Sequence, residues 1–165
     1  MKRERPHWHD TFMFAALSSA TRSSCLHLQT GAVIVKDKRI IASGYNGAPP
    51  GIENCFSVGC RKDREKIEFD DKGKGICRGV HAEINAMNQI SRQDLIGASL
   101  YSVYYPCSSC AKSIVANGIH EVFYDKIYKE PDSLTLELFQ EAGVHLKHYS
   151  MDIDRYFAMM KQIRG

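Results

Sequence analysis

The sequence predicts an α/β layered domain, and three observations carry that prediction. Strand-like and helix-like stretches alternate from residue 81 onward, the pattern of a sheet covered by helices. A β-branched hairpin precedes them at residues 31–45. The 165 residues are 44% hydrophobic and 25% charged, which suits one domain that buries its own core. Residues 1–165 are therefore read as a single domain, without internal repeats or low-complexity segments.

Each element can be justified in turn. Residues 8–20 read as an amphipathic helix, because Trp8, Phe12, Ala15, Ala16 and Ser19 recur at helical spacing and place an aromatic stripe on one side. The polar cluster Thr21-Arg22-Ser23-Ser24 ends it. Gly31-Ala32-Val33-Ile34-Val35, a charged turn from Lys36 to Arg39, and Ile40 to Tyr45 make the hairpin. The Gly- and Pro-rich stretch Gly44 to Gly51 stops the second strand, and Asn46-Gly47 is itself a turn signal because both residues tolerate positive φ. Residues 52–79 carry a charged run from Arg61 to Lys74 and no apolar periodicity, so something other than a hydrophobic core must hold them.

Helical spacing resumes at His81 with Ala82, Ile84, Ala86, Met87 and Ile90, and stops at Ser91. A strand from Ser99 to Tyr105 is ended by Pro106. Cys107 to about Asn117 forms a second helix closed by Gly118. A strand from Glu121 to Tyr124, a helix from Ser133 to Ala142 ending at Gly143, a strand from Val144 to Tyr149 and a helix from Ile153 to Ile163 complete the chain.

Composition narrows the function classes. A net charge of +3 allows an anionic partner such as a nucleotide, but it is too small to demand a nucleic-acid groove. Clustered arginines with aromatic platforms are absent, so no stable nucleic-acid partner is expected. The basic stretch from Met1 to Arg5 leads into an apolar run, Phe12 to Leu17, that is too short for a secretory signal, and no stretch is long enough for a membrane span. The expectation is a cytoplasmic protein whose six cysteines, Cys25, Cys55, Cys60, Cys77, Cys107 and Cys110, stay reduced and available for metal.

Two motifs hold the chemistry. Cys107 and Cys110 stand three apart at a helix start, so both can reach one ion, and the helix N-terminus favours their thiolates. His81, at the start of another helix, supplies a third ligand and leaves a zinc site with its fourth position open for water. Zinc lowers the pKa of such a water to near 7, and Glu83, two residues from the ligand, is placed to move the protons. His-x-Glu followed by Pro-Cys-x-x-Cys is the signature of the zinc deaminases.

The sequence resembles the deoxycytidylate deaminases of the cytidine deaminase superfamily over nearly its whole length. The resemblance runs through Arg5 to Met13, Arg22 to Cys25, Gly31 to Val35, Gly44-Tyr45-Asn46-Gly47, His81 to Ala86, Pro106 to Lys112, Gly118-Ile119 and Tyr128. It implies a three-layer α/β/α fold around a mixed sheet of about five strands. It also implies hydrolysis of dCMP to dUMP and ammonia, supplying dUMP for thymidylate synthesis. In that reaction zinc hydroxide attacks C4, and Glu83 protonates N3 and then the departing amine. Asn46 falls on an asparagine that binds substrate in the family, which replaces its reading as a turn residue. The backbone of Ala82 would face the pyrimidine edge, and Tyr128 would lie near the sugar-phosphate end. Gly47 to Gly51 resembles the loop through which regulated members sense dCTP and dTTP, and the family commonly forms homo-oligomers, hexamers among them. The chain departs from common family residues at His27, where arginine is frequent, and at Thr30, where valine is.

With Cys107 and Cys110 assigned, Cys25, Cys55, Cys60 and Cys77 remain, a complete set for a tetrahedral structural zinc. Some family members carry a second zinc at positions matching Cys25, Cys55 and Cys77, and His27 could replace one ligand. A second metal would account for order in residues 52–79. Two other functions fit the same motifs: a deaminase of bases in nucleic acid, and a zinc-stabilised accessory protein without turnover. Glu83 speaks against the latter, since a site without turnover has no use for an acid that is not a ligand.

Overall fold

The computed structural model describes residues 5–69, 71, 75–128 and 130–164. Residues 1–4 and part of the charged run, residues 70 and 72–74, lie outside the described residues. Helix α1 (Trp8–Ala20) leads into the hairpin β1 (Gly31–Lys36) and β2 (Arg39–Tyr45). Two short helices follow, α2 (Cys55–Val58) and α3 (Arg61–Arg64). Then come α4 (Ala82–Met87), α5 (Arg92–Leu95), β3 (Ser99–Tyr104), α6 (Ser108–Ala116), β4 (Glu121–Lys126), α7 (Ser133–Ala142), β5 (His145–His148) and α8 (Ile153–Arg164).

The strands form one sheet in the order β2-β1-β3-β4-β5. The pairs β1/β2 and β1/β3 are antiparallel, whereas β3/β4 and β4/β5 are parallel, so the sheet is mixed as expected. Asp37 and Lys38 both have positive φ, 51° and 59°, the geometry of a tight two-residue hairpin turn. The apolar run of β1 is continuous because both of its faces are covered. Ala32 and Ile34 pack with α4 and α6, while Val33 and Val35 pack with α1 on the opposite face. Three layers result, and the two zinc motifs lie in the α4/α6 layer.

Glycine fixes how closely α1 approaches the sheet. A β-carbon at Gly31 would fall under 3.0 Å from the backbone of Ala16 and Ala20, so no other residue fits there without moving the helix.

Several element boundaries differ from expectation for physical reasons. The buried side of α1 is Phe12, Met13, Ala16 and Ala20; Trp8 is 44% exposed and stacks on Phe12 at the rim. Helix α4 ends at Met87, and Ser91 begins a new helix instead of closing the old one, its side chain accepting a hydrogen bond from the Asp94 amide. Residues 52–79 contain two single-turn helices and are held by polar contacts. Buried Lys62 donates to the carbonyls of Phe69 and Asp71, each at 2.6 Å. The ends of the segment meet where Gly47 and Val80 exchange two backbone hydrogen bonds, of 3.2 and 2.8 Å.

Candidate metal centre and active site

His81 is the N-cap of α4, held extended at φ −69° and ψ 153°. Val80, immediately before it, is fixed by its pairing with Gly47, so the hairpin exit and the histidine share one backbone clamp. Cys107 is the N-cap of α6 and Cys110 lies in that helix's first turn. Pro106 keeps the preceding backbone out of the helix, and its carbonyl accepts a 3.1 Å hydrogen bond from buried Thr135 of α7. The Asp132 carboxylate, at the start of α7, accepts from the Ser108 amide at 3.1 Å and secures the other side of the turn.

These supports bring the three donors together. His81 Nδ1 lies 3.5 Å from Cys107 Sγ and 3.3 Å from Cys110 Sγ. A tetrahedral zinc with bonds of roughly 2.0 Å to nitrogen and 2.3 Å to sulfur needs N···S separations of about 3.5 Å. The donor set therefore fits zinc in both identity and spacing. The Cys107 thiol is pulled down to about 3, first by the hydrogen bond it receives from Cys110 and further by His81. Cys110, donor in that bond and more deeply buried, is pushed up correspondingly. Binding of a cation by both sulfurs as thiolates would release their protons.

Glu83 follows His81 by two residues in the first turn of α4 and is 5% exposed. Burial raises its pKa, opposed by the nearby His81 ring. Its Oε1 accepts a hydrogen bond from Ser102 Oγ of β3 at 3.4 Å. A carboxyl that is not a ligand, is dry and is poised toward its protonated form suits a proton shuttle.

The remaining predicted residues lie nearby in different roles. Asn46 spans two backbone groups: its Oδ1 accepts from the Thr30 amide at 2.9 Å and its Nδ2 donates to the Leu28 carbonyl at 2.7 Å. These bonds hold the strand entry, the role its turn signal suggested, and leave one lone pair and one N–H of the amide. Ala82 is fully buried, with its carbonyl against Gly44. Tyr128 is 41% exposed beyond β4, edge-on to Tyr104 and Phe69.

Cys25, Cys55, Cys60 and Cys77 are neighbours, and the Cys55 thiol is pushed up first by burial and then by the other three. Cys25 Sγ accepts from the Leu28 amide at 3.5 Å and Cys77 Sγ from the Gly79 amide at 3.4 Å. The four sulfurs do not all lie within 4.8 Å of one another. Among the described residues the second group whose donor atoms lie within 4.8 Å of one another is His27, Cys60 and Asp63. His27 Nε2 meets Asp63 Oδ1 at 2.8 Å, and its ring stacks on Phe69. Asp63, Lys62, Ser102 and Thr135 escaped the sequence reading; only Ser102 left a trace there, as a serine between Tyr101 and Val103 in the middle of the strand.

The family model of the cytidine and deoxycytidylate deaminase zinc-binding region matches residues 6–126. The chain belongs to that family. A deoxycytidylate deaminase of Mycobacterium phage D29 is 42% identical over 124 residues, covering 74% of this chain and 97% of the phage protein. ComE operon protein 2 of Bacillus subtilis is 40% identical over 151 residues, covering 90% of this chain and 75% of the relative. The crystal structure of dCMP deaminase from cyanophage S-TIM5 in complex with dCMP and dUMP superposes with a TM-score of 0.68. It is 27% identical and covers 88% of this chain and 99% of the phage chain. The mixed five-stranded sheet is thus the cytidine-deaminase-like fold that the motifs implied. Among the described residues no helix is long and apolar enough to cross a membrane.

Proposed function

We propose that the protein is a deoxycytidylate deaminase, converting dCMP and water to dUMP and ammonia. The observation that carries this reading is the dry, non-ligating carboxyl of Glu83 beside the converged His81, Cys107 and Cys110 donors. The relatives named deoxycytidylate deaminase and the neighbour solved with dCMP and dUMP support the choice of nucleotide.

His81, Cys107 and Cys110 would hold the zinc, which when bound supplies an activated water at neutral pH. Glu83 takes a proton from the water that attacks C4 and delivers it to N3, then takes the remaining proton from the new C4 hydroxyl and delivers it to the amine, so that the C4 carbonyl forms as ammonia leaves. Its raised pKa suits both directions of transfer. The remaining N–H and lone pair of Asn46 serve the substrate, the backbone of Ala82 faces the pyrimidine edge, and Tyr128 flanks the sugar-phosphate end.

A second, structural zinc is part of this reading, held within the group Cys25, Cys55, Cys60 and Cys77, with His27 as the alternative donor. The two N–H···S hydrogen bonds support it, because such donors stabilise ligating thiolates. Metal analysis should give two zinc ions per chain, and Cys60→Ser should lose one while keeping the catalytic ion; one zinc in the wild type would end the idea. The reading extends to dCTP and dTTP as effectors. A cleft of about 460 Å³ lined by Arg22, Tyr45, Pro49, Pro50, Ile52 and Phe56 offers them a basic and an apolar wall. A cytoplasmic homo-oligomer, hexameric as in many family members, completes it.

The test is ammonia release from dCMP, dCTP, deoxycytidine and a cytosine-containing oligonucleotide. Turnover of dCMP alone supports the proposal. Turnover of the oligonucleotide would point to a nucleic-acid editor, and none by zinc-loaded protein to an accessory role. Glu83→Gln should keep zinc and lose on the order of 10²-fold or more in turnover.

A further inference from the structure

We infer that Ser102 is the positioning residue for Glu83, a role resting on the proton-shuttle reading above. Ser102 is fully buried in the centre of β3, between Ala32 of β1 and Tyr124 of β4 in register. Its neighbours Tyr101 and Val103 belong to the core on the α1 side, so Ser102 projects with Leu100 toward α4 and α6. Every other described residue of β3 that points into either core is apolar or aromatic. Burying a hydroxyl there costs free energy unless it is bonded, and the acceptor within reach is Glu83 Oε1 at 3.4 Å.

The chemistry of a hydroxyl explains why it suits this place. A proton shuttle alternates between carboxylate and carboxylic acid while holding one geometry. Ser102 can donate to the carboxylate and, by rotating its O–H, accept from the acid. An ammonium could serve only as a donor and would favour the ionised form. A hydroxyl fixed to a central strand holds one carboxyl oxygen through both states and leaves the other to face the metal ligands. The α4 backbone, seated against Gly44, sets where Glu83 starts, and Ser102 sets where its carboxyl ends.

Threonine and valine have nearly the same shape, so the pair Ser102→Thr and Ser102→Val separates the hydroxyl from packing. The expected result is a fall in kcat of roughly tenfold or more for Ser102→Val, with KM for dCMP within about twofold and zinc content unchanged, and substantial recovery in Ser102→Thr. Both variants carry the same extra bulk, so any general loss of folding appears in both. An independent readout is the carboxyl stretch of Glu83, taken as the infrared difference between each protein and its Glu83→Gln counterpart. It should shift in Ser102→Val and return toward the wild-type position in Ser102→Thr. Equal kcat and an unchanged stretch in the two variants would overturn the positioning role while leaving Glu83 as the shuttle. Full activity of Glu83→Gln would instead remove the shuttle reading itself.

Discussion

Gly44 of β2 and Ala86 of α4 touch backbone to backbone: a β-carbon at Gly44 would sit under 3.0 Å from the Ala86 amide nitrogen and the Ala82 carbonyl. Neither of these atoms can move without moving the helix that carries His81 and Glu83. Gly44→Ala should therefore cost about 1–3 kcal/mol in a chemical unfolding experiment, the range for overpacking. It should also reduce turnover more than stability alone explains, because α4 is displaced from β3. Wild-type kcat in a folded Gly44→Ala protein would show that the seat is not needed for catalysis.

His9 joins stability to pH. Its ring lies among Phe123, Tyr149 and Tyr101 and meets the Tyr101 hydroxyl at 2.7 Å. Burial lowers its pKa below 6.5, and the neighbouring His7 adds to the shift. Below pH 6.5 the unfolded chain therefore binds more protons at this position than the folded one. The stability present above pH 6.5 is lost as the pH falls through the folded-state value. Urea unfolding at pH 6.5 and at steps below it should show that decline, with a shallower slope for His9→Gln. An identical slope in the two proteins would remove His9 as the cause.

Thr30 carries the buried side-chain oxygen that lacks a partner among the described residues. Its backbone is already occupied by Asn46, which takes the amide and gives its own amide to the carbonyl. Thr30→Val keeps the shape and removes the unsatisfied hydroxyl, so it should raise stability by about 1 kcal/mol. A thermal or urea midpoint below that of the wild type would mean that the hydroxyl is satisfied in solution.

Lys62 is 8% exposed and clamps the carbonyls of Phe69 and Asp71. Lys62→Ala should release the segment around those residues, measured as faster proteolysis between α3 and α4, with about 1–3 kcal/mol lost for unsatisfied buried groups. Proteolysis at the wild-type rate would show that this clamp is not what orders the segment.

The legibility of the sequence tracked the kind of force at work. The hairpin could be read because β-branched runs bracket a charged turn, and α7 because Gly143 stands at its C-terminal end in the left-handed conformation. The convergence of His81, Cys107 and Cys110 was legible because metal binding imposes spacing as well as residue type. Residues 52–79 were not, since Lys62 and the His27–Asp63 pair hold them through polar contacts that leave no periodicity. Helix α5 was hidden because Ser91 signals an end and a start alike. Asn46 carried two signals at once, and its described contacts are those of the turn reading.

The paired hydrogen bonds between Gly47 and Val80 have a consequence for how such a protein can vary. They close residues 48–79 at the neck, so what lies beyond is an excursion whose length the sheet does not feel. Lengthening a closed loop costs little, about 0.6 kcal/mol per doubling. The neck makes this excursion an exchangeable cassette: its length and its side chains can be rewritten while the sheet and the start of α4 below it are inherited unchanged.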